Sequence, residues 1–447
     1  MKPDLSSAAA HDRPSLCDRM LSNSWFVMVW LALDYFVLYL HRSVLNFVLP
    51  PLQAELQITE AQIGNMQMAF LLSYCFSQLF VGYLGDRFHR RTVLLVSLIG
   101  SIVCLVGKGM VVSFSQLILL QIALGALQSA SVPAIAGMMA DCFTPRWRST
   151  AVAIYLISQN VAIVTAGWLG GTIAGVSTWT LPGQFFGGEP IEVAGWRMAM
   201  FIFSGFGIAV AAGMLLFLRE PPRTEREENR GLGVEGGSFR RTVFDVLRIP
   251  SYLLIALAYV LTCVIINPRS IFLAKYFHDD LGMSLERAGF FSTFFIQIFT
   301  VVGLFVGGIW ADQWAKRMKA GRLWVQVIGV LLIAPALVVL GTTASTPLLI
   351  VSMSLFGLGL GIYTTNLWTT TFDVVDPAAR STATAFLNVA ALLAAPASPI
   401  IGHWVDQGWM SYGQSFAALS IVAVLTAAAL ALCALFSVPR DYRGPLE

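Results

Sequence analysis

Twelve apolar runs of helix length divide the 447-residue chain, and no other feature restricts its fold as strongly. Their approximate bounds are 25–49, 63–84, 92–112, 115–140, 149–173, 197–218, 251–274, 287–311, 323–341, 347–371, 382–404 and 412–436. Each is rich in Leu, Ile, Val, Ala and Phe with scattered Gly, and each matches the roughly 20 residues that an α-helix needs to cross the hydrocarbon core of a bilayer. Barrel strands are about half that length and alternate in polarity, which these runs do not. Hydrophobic residues make up 57% of the chain and charged residues 12%, against roughly 45–50% and about 25% in soluble domains. Mean hydropathy is +0.72. With 28 basic and 25 acidic side chains, the chain cannot cover such an apolar bulk in water. A soluble enzyme is excluded, and an all-α membrane protein with twelve transmembrane helices in a lipid bilayer is expected.

Orientation follows from the excess of Lys and Arg in cytoplasmic loops. If the N-terminus lies inside, 22 of the 28 basic residues fall on inside segments, leaving Arg42, Lys108, Arg197, Arg269, Lys275 and Arg287. Both termini are therefore expected in the cytoplasm. Residues 1–24 are polar, lack the apolar stretch of a signal peptide and read as a cytosolic tail. The long inside segment 219–250 is charged and Gly-rich at its start (REPPRTEREENRGLGVEGG) and splits the helices six and six. No basic domain stands apart from the spans, so nucleic acid is not an expected partner. The cysteines at 17, 75, 104, 142, 263 and 433 form no CxxC pair, and neither a disulfide framework nor a zinc site is indicated.

The two halves repeat. MADCFTPRWRSTAVAIY (139–155) aligns with TFDVVDPAARSTATAFL (371–387) at an offset of 232, pairing Asp141 with Asp373 and Arg148 with Arg380. GYLGDRFHRR (82–91) aligns with GIWADQWAKR (308–317), pairing Gly82 with Gly308 and Asp86 with Asp312. Arg42-Ser43 aligns with Arg269-Ser270. The expected organisation is a tail (1–24), a six-helix bundle (25–218), a linker (219–250), a second six-helix bundle (251–436) and a second cytosolic tail (437–447). Two parallel, pseudo-symmetric bundles place a substrate site between them near the bilayer midplane.

On these residues the chain resembles the major facilitator superfamily. The run Gly82-Tyr83-Leu84-Gly85-Asp86-Arg87-Phe88-His89-Arg90-Arg91 matches the family's helix 2–3 loop, except that His89 replaces a Gly. Within the superfamily, Asp34-Tyr35, His41-Arg42-Ser43 and Pro50-Pro51 look most like the anion:cation symporters; the segment ADCFTPRWRSTAVAIYLISQ is shared with the Spinster lipid transporters. The resemblance implies a secondary transporter that works by alternating access, takes a small organic anion at Arg42 and can use proton symport. The departures bear on coupling: the usual acid before the helix 1 Arg is His41, and the helix 4 Arg and Glu correspond to Gln121 and Gln128. The helix 5 Gly-Pro pattern of drug/proton antiporters is absent from AGWLGGTIAG (166–175).

Asp34 lies about nine residues into helix 1, roughly 14 Å deep, where an ionisable group is costly and points to function. His41 is seven residues further on and about 20° off the same face, with Arg42 at about 80°. Asp34 and His41 are candidate proton-coupling groups, the alternative being an internal ion pair that only packs the bundle. Arg42 and Arg269, at matching positions in the two halves, are candidate anion ligands because a guanidinium fork offers two hydrogen bonds at once; alternatively they snorkel to the interface. Tyr39, Asn267, Gln121, Gln128, Gln297, Asn366 and Asn388 could line the same cavity, or could hydrogen-bond between helices. Asn267 and Pro268 also suggest local unwinding of helix 7.

Charges at the inner helix ends have a different expected role. Gly82, Asp86, Arg90, Arg91, Asp141, Arg148, Asp312, Lys316, Arg317, Asp373 and Arg380 would form a cytoplasmic gate, closing the inside when the outside is open; otherwise they are topology signals in solvated loops. No phosphate loop, GxSxG elbow or metal cluster occurs, so no enzyme and no cofactor are expected, and a monomer suffices. The absence of any N-x-S/T sequon points to a bacterial inner membrane. The expected function is uptake of a sugar acid or other carboxylate, with H+ as the candidate coupling ion. A Spinster-like lysolipid transporter, a drug or siderophore exporter and a non-transporting receptor are the alternatives.

Overall fold

The computed structural model describes residues 23–85, 89–182, 190–219, 244–376 and 379–442. Most of the two expected tails and of the 219–250 linker lies outside the described residues. The first half comprises α1 (Ser24–Phe47), α2 (Glu60–Gly85), α3 (Arg90–Gly109), α4 (Phe114–Met139), α5 (Pro145–Ala174) and α6 (Gly195–Phe217). The second comprises α7 (Pro250–Asp279), α8 (Leu285–Ala315), α9 (Gly321–Thr342), α10 (Thr346–Val374), α11 (Thr382–Asp406) and α12 (Tyr412–Asp441). Among the described residues eleven helices are long and apolar enough to cross a membrane, and α2, at 26 residues, completes the twelve.

Local chemistry places the boundaries. The Asn23 side chain accepts from the Trp25 amide at the start of α1, and Ser411 with Gln414 forms a capping box on α12. Pro145 and Pro250 open α5 and α7, where their missing N–H is no loss. Two spans expected to be continuous are interrupted. Helix α4 breaks between Gln128 and Ser131, because Pro133 has no N–H to offer the Ser129 carbonyl. In α11 a 3-10 turn over Ala391–Ala394 precedes Pro396 for the same reason. The unwinding expected at Asn267 and Pro268 does not occur: α7 runs unbroken through Pro268, and the Ser270 hydroxyl bonds the Asn267 carbonyl at 2.8 Å. The α5–α6 connection, expected as a loop, holds a two-stranded antiparallel hairpin, β1 (Thr178–Leu181) and β2 (Ile191–Ala194), with Thr178 opposite Ala194.

The halves meet most closely at the end of the bundle that carries this hairpin. There α5 crosses α8 so tightly that a Cβ on Gly289 would lie 2.0 Å from the Gly167 carbonyl oxygen, so only glycine allows the approach. The N-terminus of α2 docks on α11, where Asp406 accepts from the Glu60 and Ala61 amides at 2.9 and 2.8 Å. An aspartate of one half thus caps a helix of the other. Glu60, 9% exposed, also pairs with Lys275 of α7 at 2.9 Å, accepts from Gln53 at 2.9 Å and accepts from the Tyr412 hydroxyl of α12. These contacts close the hairpin end over the space between the halves.

Candidate functional site

Beneath that closure lies a cavity of about 550 Å³ between the halves, walled by α1 and α5 on one side and by α7, α8 and α10 on the other. Its size falls in the range of small-molecule sites. Tyr39, Arg42, Asn267, Arg269 and Gln297 line it, as do Asn46, Gln67, Gln159, Asn160, Thr364 and Thr365. Of the expected substrate residues, the structure therefore brings together five. Among the described residues, its lining contains two arginines and no Asp, Glu or Lys.

Both arginines are held by rings rather than by carboxylates. The Arg42 guanidinium carbon lies 4.5 Å from the centre of the Phe70 ring, with Tyr39 and Tyr74 at 5.4 and 5.6 Å. Arg269 lies 4.9 Å from the Phe356 ring, is 7% exposed, and has no hydrogen-bond partner for its Nε. Aromatic faces attract a cation without consuming its N–H donors, so the forks remain free to bind. Asn46 of α1 donates to the Ser270 carbonyl of α7 at 3.1 Å, bridging the halves at the roof. The Tyr35 hydroxyl, whose ring stacks on Tyr155, donates to Gln159 Oε1 at 3.1 Å. That bond leaves the Gln159 amide N–H groups for a ligand, and the Asn267 amide nitrogen is likewise without a partner.

The other expected substrate residues do not line the cavity. Gln121 accepts from the fully enclosed Lys108. Gln128 donates to the Leu38 carbonyl at 3.1 Å and to Ser101 at 3.4 Å, and Asn366 donates to the Gly307 and Ile362 carbonyls. These amides serve helix packing, where an unsatisfied polar group is costly. Asn388, on the first segment of α11, is also outside the lining. The polar stripe expected on α1 divides. Arg42 reaches the cavity; His41 turns inward and its Nε2 meets the Phe203 carbonyl of α6 at 3.1 Å. Asp34 is fully buried with no hydrogen bond to either oxygen.

At the opposite end the expected gate charges pair within each half. Arg90 of α3 pairs with Asp141 at the end of α4, and Arg91 donates to the Leu215 carbonyl at 2.5 Å. In the second half Arg322 bonds Asp373 at 2.8 Å and Asp312 at 3.4 Å, while Arg380 donates to the Phe372 carbonyl at 3.2 Å. Lys316 lines the same recess as Asp312, Arg322, Asp373 and Arg380, and Lys316 and Arg317 are exposed. Asp86 lies outside the described residues, and the side chains of Gly82 and Arg148 are not among those described. Arg322 was not among the expected gate residues. It is the counterpart of Arg90: residues 90 and 141 become 322 and 373 at the offset of 232 found for 139–155 and 371–387. The alignment of 82–91 with 308–317 hid this, because the stretch from Gly308 to Arg322 is six residues longer than that from Gly82 to Arg90.

The profile of the Major Facilitator Superfamily matches residues 31–399. The chain belongs to that superfamily. Its twelve helices have the superfamily's fold, and the protein is a membrane transporter, not an enzyme. The Bacillus subtilis hexuronate transporter is 24% identical over 85% of this chain and 88% of its own. A probable sulfoacetate transporter of Cupriavidus necator is 24% identical over 86% and 88%. The crystal structure of a bacterial homolog of the human lysosomal transporter Spinster, inward-facing and occupied, superposes with a TM-score of 0.78 at 20% identity, over 94% of this chain and 98% of that one. The chain spans only 36 to 38% of the length of several other curated relatives it matches.

Proposed function

We propose that the chain is a secondary transporter of a small organic anion, a sugar acid or other short carboxylate or sulfonate, bound in the cavity by Arg42 and Arg269. The observation that carries this reading is a cavity between the two halves in which, among the described residues, the only charged side chains are two arginines. Such a lining repels cations and gives an anion charge-assisted, bidentate partners. Two relatives that align along most of this chain carry the names of organic anions. The chain acts as a monomer, since one chain supplies both walls, and sits in a bacterial inner membrane with both termini in the cytoplasm, following its distribution of Lys and Arg. The cavity then faces inward beneath a closed outer end. Rocking of the halves would break the Glu60 and Asp406 contacts and close the opposite end.

Proton coupling is assigned to Asp34. A buried carboxyl without a partner carries its charge only at a large desolvation cost, so taking up and releasing a proton as the bundle rearranges is its natural chemistry. His41 is the second candidate. The test is thermal stabilisation of purified protein by a panel of sugar acids, short sulfonates, lysolipids and cationic drugs. Stabilisation by anions that is lost in Arg42→Gln supports the reading; stabilisation by lysolipids or cations alone refutes it. Uptake that ignores an imposed pH gradient of either sign refutes coupling.

A further inference from the structure

Four cations elsewhere in the described residues are matched by acids: Lys275 by Glu60, Arg197 by Glu55, Arg90 by Asp141 and Arg322 by Asp373; the enclosed Lys108 is met by the Gln121 amide oxygen instead. Among the same residues Arg42 and Arg269 are not matched by an acid, and they face one space from opposite halves. Nothing in the lining can neutralise either one. While the cavity is open, water reaches the half-buried Arg42 and only the edge of Arg269, which is 7% exposed. Occlusion removes that water, and a monoanion would then leave one desolvated cation uncompensated, a state that costs several kcal/mol in buried sites. A ligand with two acidic groups avoids that cost and also ties α1 to α7, drawing the halves together.

We propose that the cavity selects bolaform dianions, molecules with a carboxylate, sulfonate or phosphate at each end, over monoanions of the same size. This rests on the organic-anion reading above. Arg42 and Arg269 each take one end. The Asn267 amide, which has no partner, and the Gln159 amide are placed to bond the polar groups between. Sulfoacetate, the ligand in the name of one relative, has this form; a hexuronate, in the name of another, has a single carboxylate, and the experiment sets the two types against each other.

Titration calorimetry on the purified protein, at fixed ionic strength and pH 7.5, would compare three matched pairs. These are a six-carbon aldarate with the corresponding uronate, sulfoacetate with sulfoacetamide, and a C4–C6 dicarboxylate with its half ester. The expected result is at least tenfold tighter binding of the dianion in each pair. In Arg269→Gln both ligands weaken, the dianion by more, and the ratio falls to within twofold; in Arg42→Gln both ligands weaken; in Arg269→Lys, which keeps the charge, part of the preference returns. Equal affinities within the pairs, or a preference that survives Arg269→Gln, overturn this inference and leave the organic-anion reading standing. No saturable binding by any anion, mono- or divalent, overturns both.

Discussion

Replacing Lys275 with Met removes the only cation from the contact that closes the hairpin end. The Lys275 and Glu60 side chains are 5% and 12% exposed, so the Glu60 carboxylate would stay buried against α7 and α12 with only Gln53, Tyr412 and local dipoles around it. Breaking one side of a buried ion pair costs about 3–5 kcal/mol. The lower end applies, because the two neutral hydrogen bonds survive. That cost falls on the closed state alone, since opening returns Glu60 to water. About 3 kcal/mol is roughly a 150-fold shift, enough to turn a strongly closed population into a nearly even mixture. The assay is a pulsed electron–electron distance measurement between spin labels at Ala54→Cys and Gln407→Cys, both exposed positions at that end, in a background with the six native cysteines replaced. Lys275→Met should add a second, longer distance, and Glu60→Gln on top of it should restore part of the short one, because the uncompensated charge is gone. A distribution identical to wild type would refute the claim that this pair holds the end closed.

Arg322→Gln should lower the apparent melting midpoint in detergent by an amount matching about 1–3 kcal/mol, because Asp373 is left half-buried and unpaired. Arg90→Gln should do the same in the first half, and a loss in only one half would contradict their equivalence. Gly289→Leu should force α5 and α8 apart and lengthen the same spin-label distance, since the Gly167 carbonyl occupies the place of any side chain. Glu55 supplies a pH test outside the spans. Burial pushes its carboxyl up, but hydrogen bonds from Arg197 and Trp196 outweigh that and leave it below the ordinary range. A lowered carboxyl adds stability above its unfolded value, about 4.3, and loses it as pH falls through the folded value. Glu55→Gln should therefore lower the midpoint at pH 7, by less than about 1 kcal/mol because the site is largely solvated, and the difference from wild type should shrink as pH falls below about 4.3.

The number of spans was legible because each is a long apolar run between polar stops, and bilayer thickness admits few other readings. Cavity residues were legible where a permanent charge sat in a span: Arg42 and Arg269 had no inexpensive alternative to a polar space. Amides had one. Gln121, Gln128 and Asn366 satisfy themselves on neighbouring carbonyls or on Lys108, and nothing in an apolar helix marks which face an amide will take. Arg322 was obscured by the longer stretch from Gly308 to Arg322, which shifted the local alignment. The closure at Glu60 could not be read at all, because its partner Asp406 lies 346 residues away and each looks like an ordinary loop acid. The β1–β2 hairpin escaped notice because its strands are only four residues each, too short to show a clear alternating pattern.

The central claim is that Arg42 binds an organic anion that the protein then carries across the membrane. Counterflow in proteoliposomes tests it most directly: vesicles loaded with an unlabelled sugar acid or short sulfonate are diluted into a trace of the labelled compound. The account predicts transient, saturable accumulation of label that falls at least tenfold in Arg42→Gln, with the variant's melting midpoint unchanged in the absence of ligand. Accumulation that survives Arg42→Gln at the wild-type rate would contradict it.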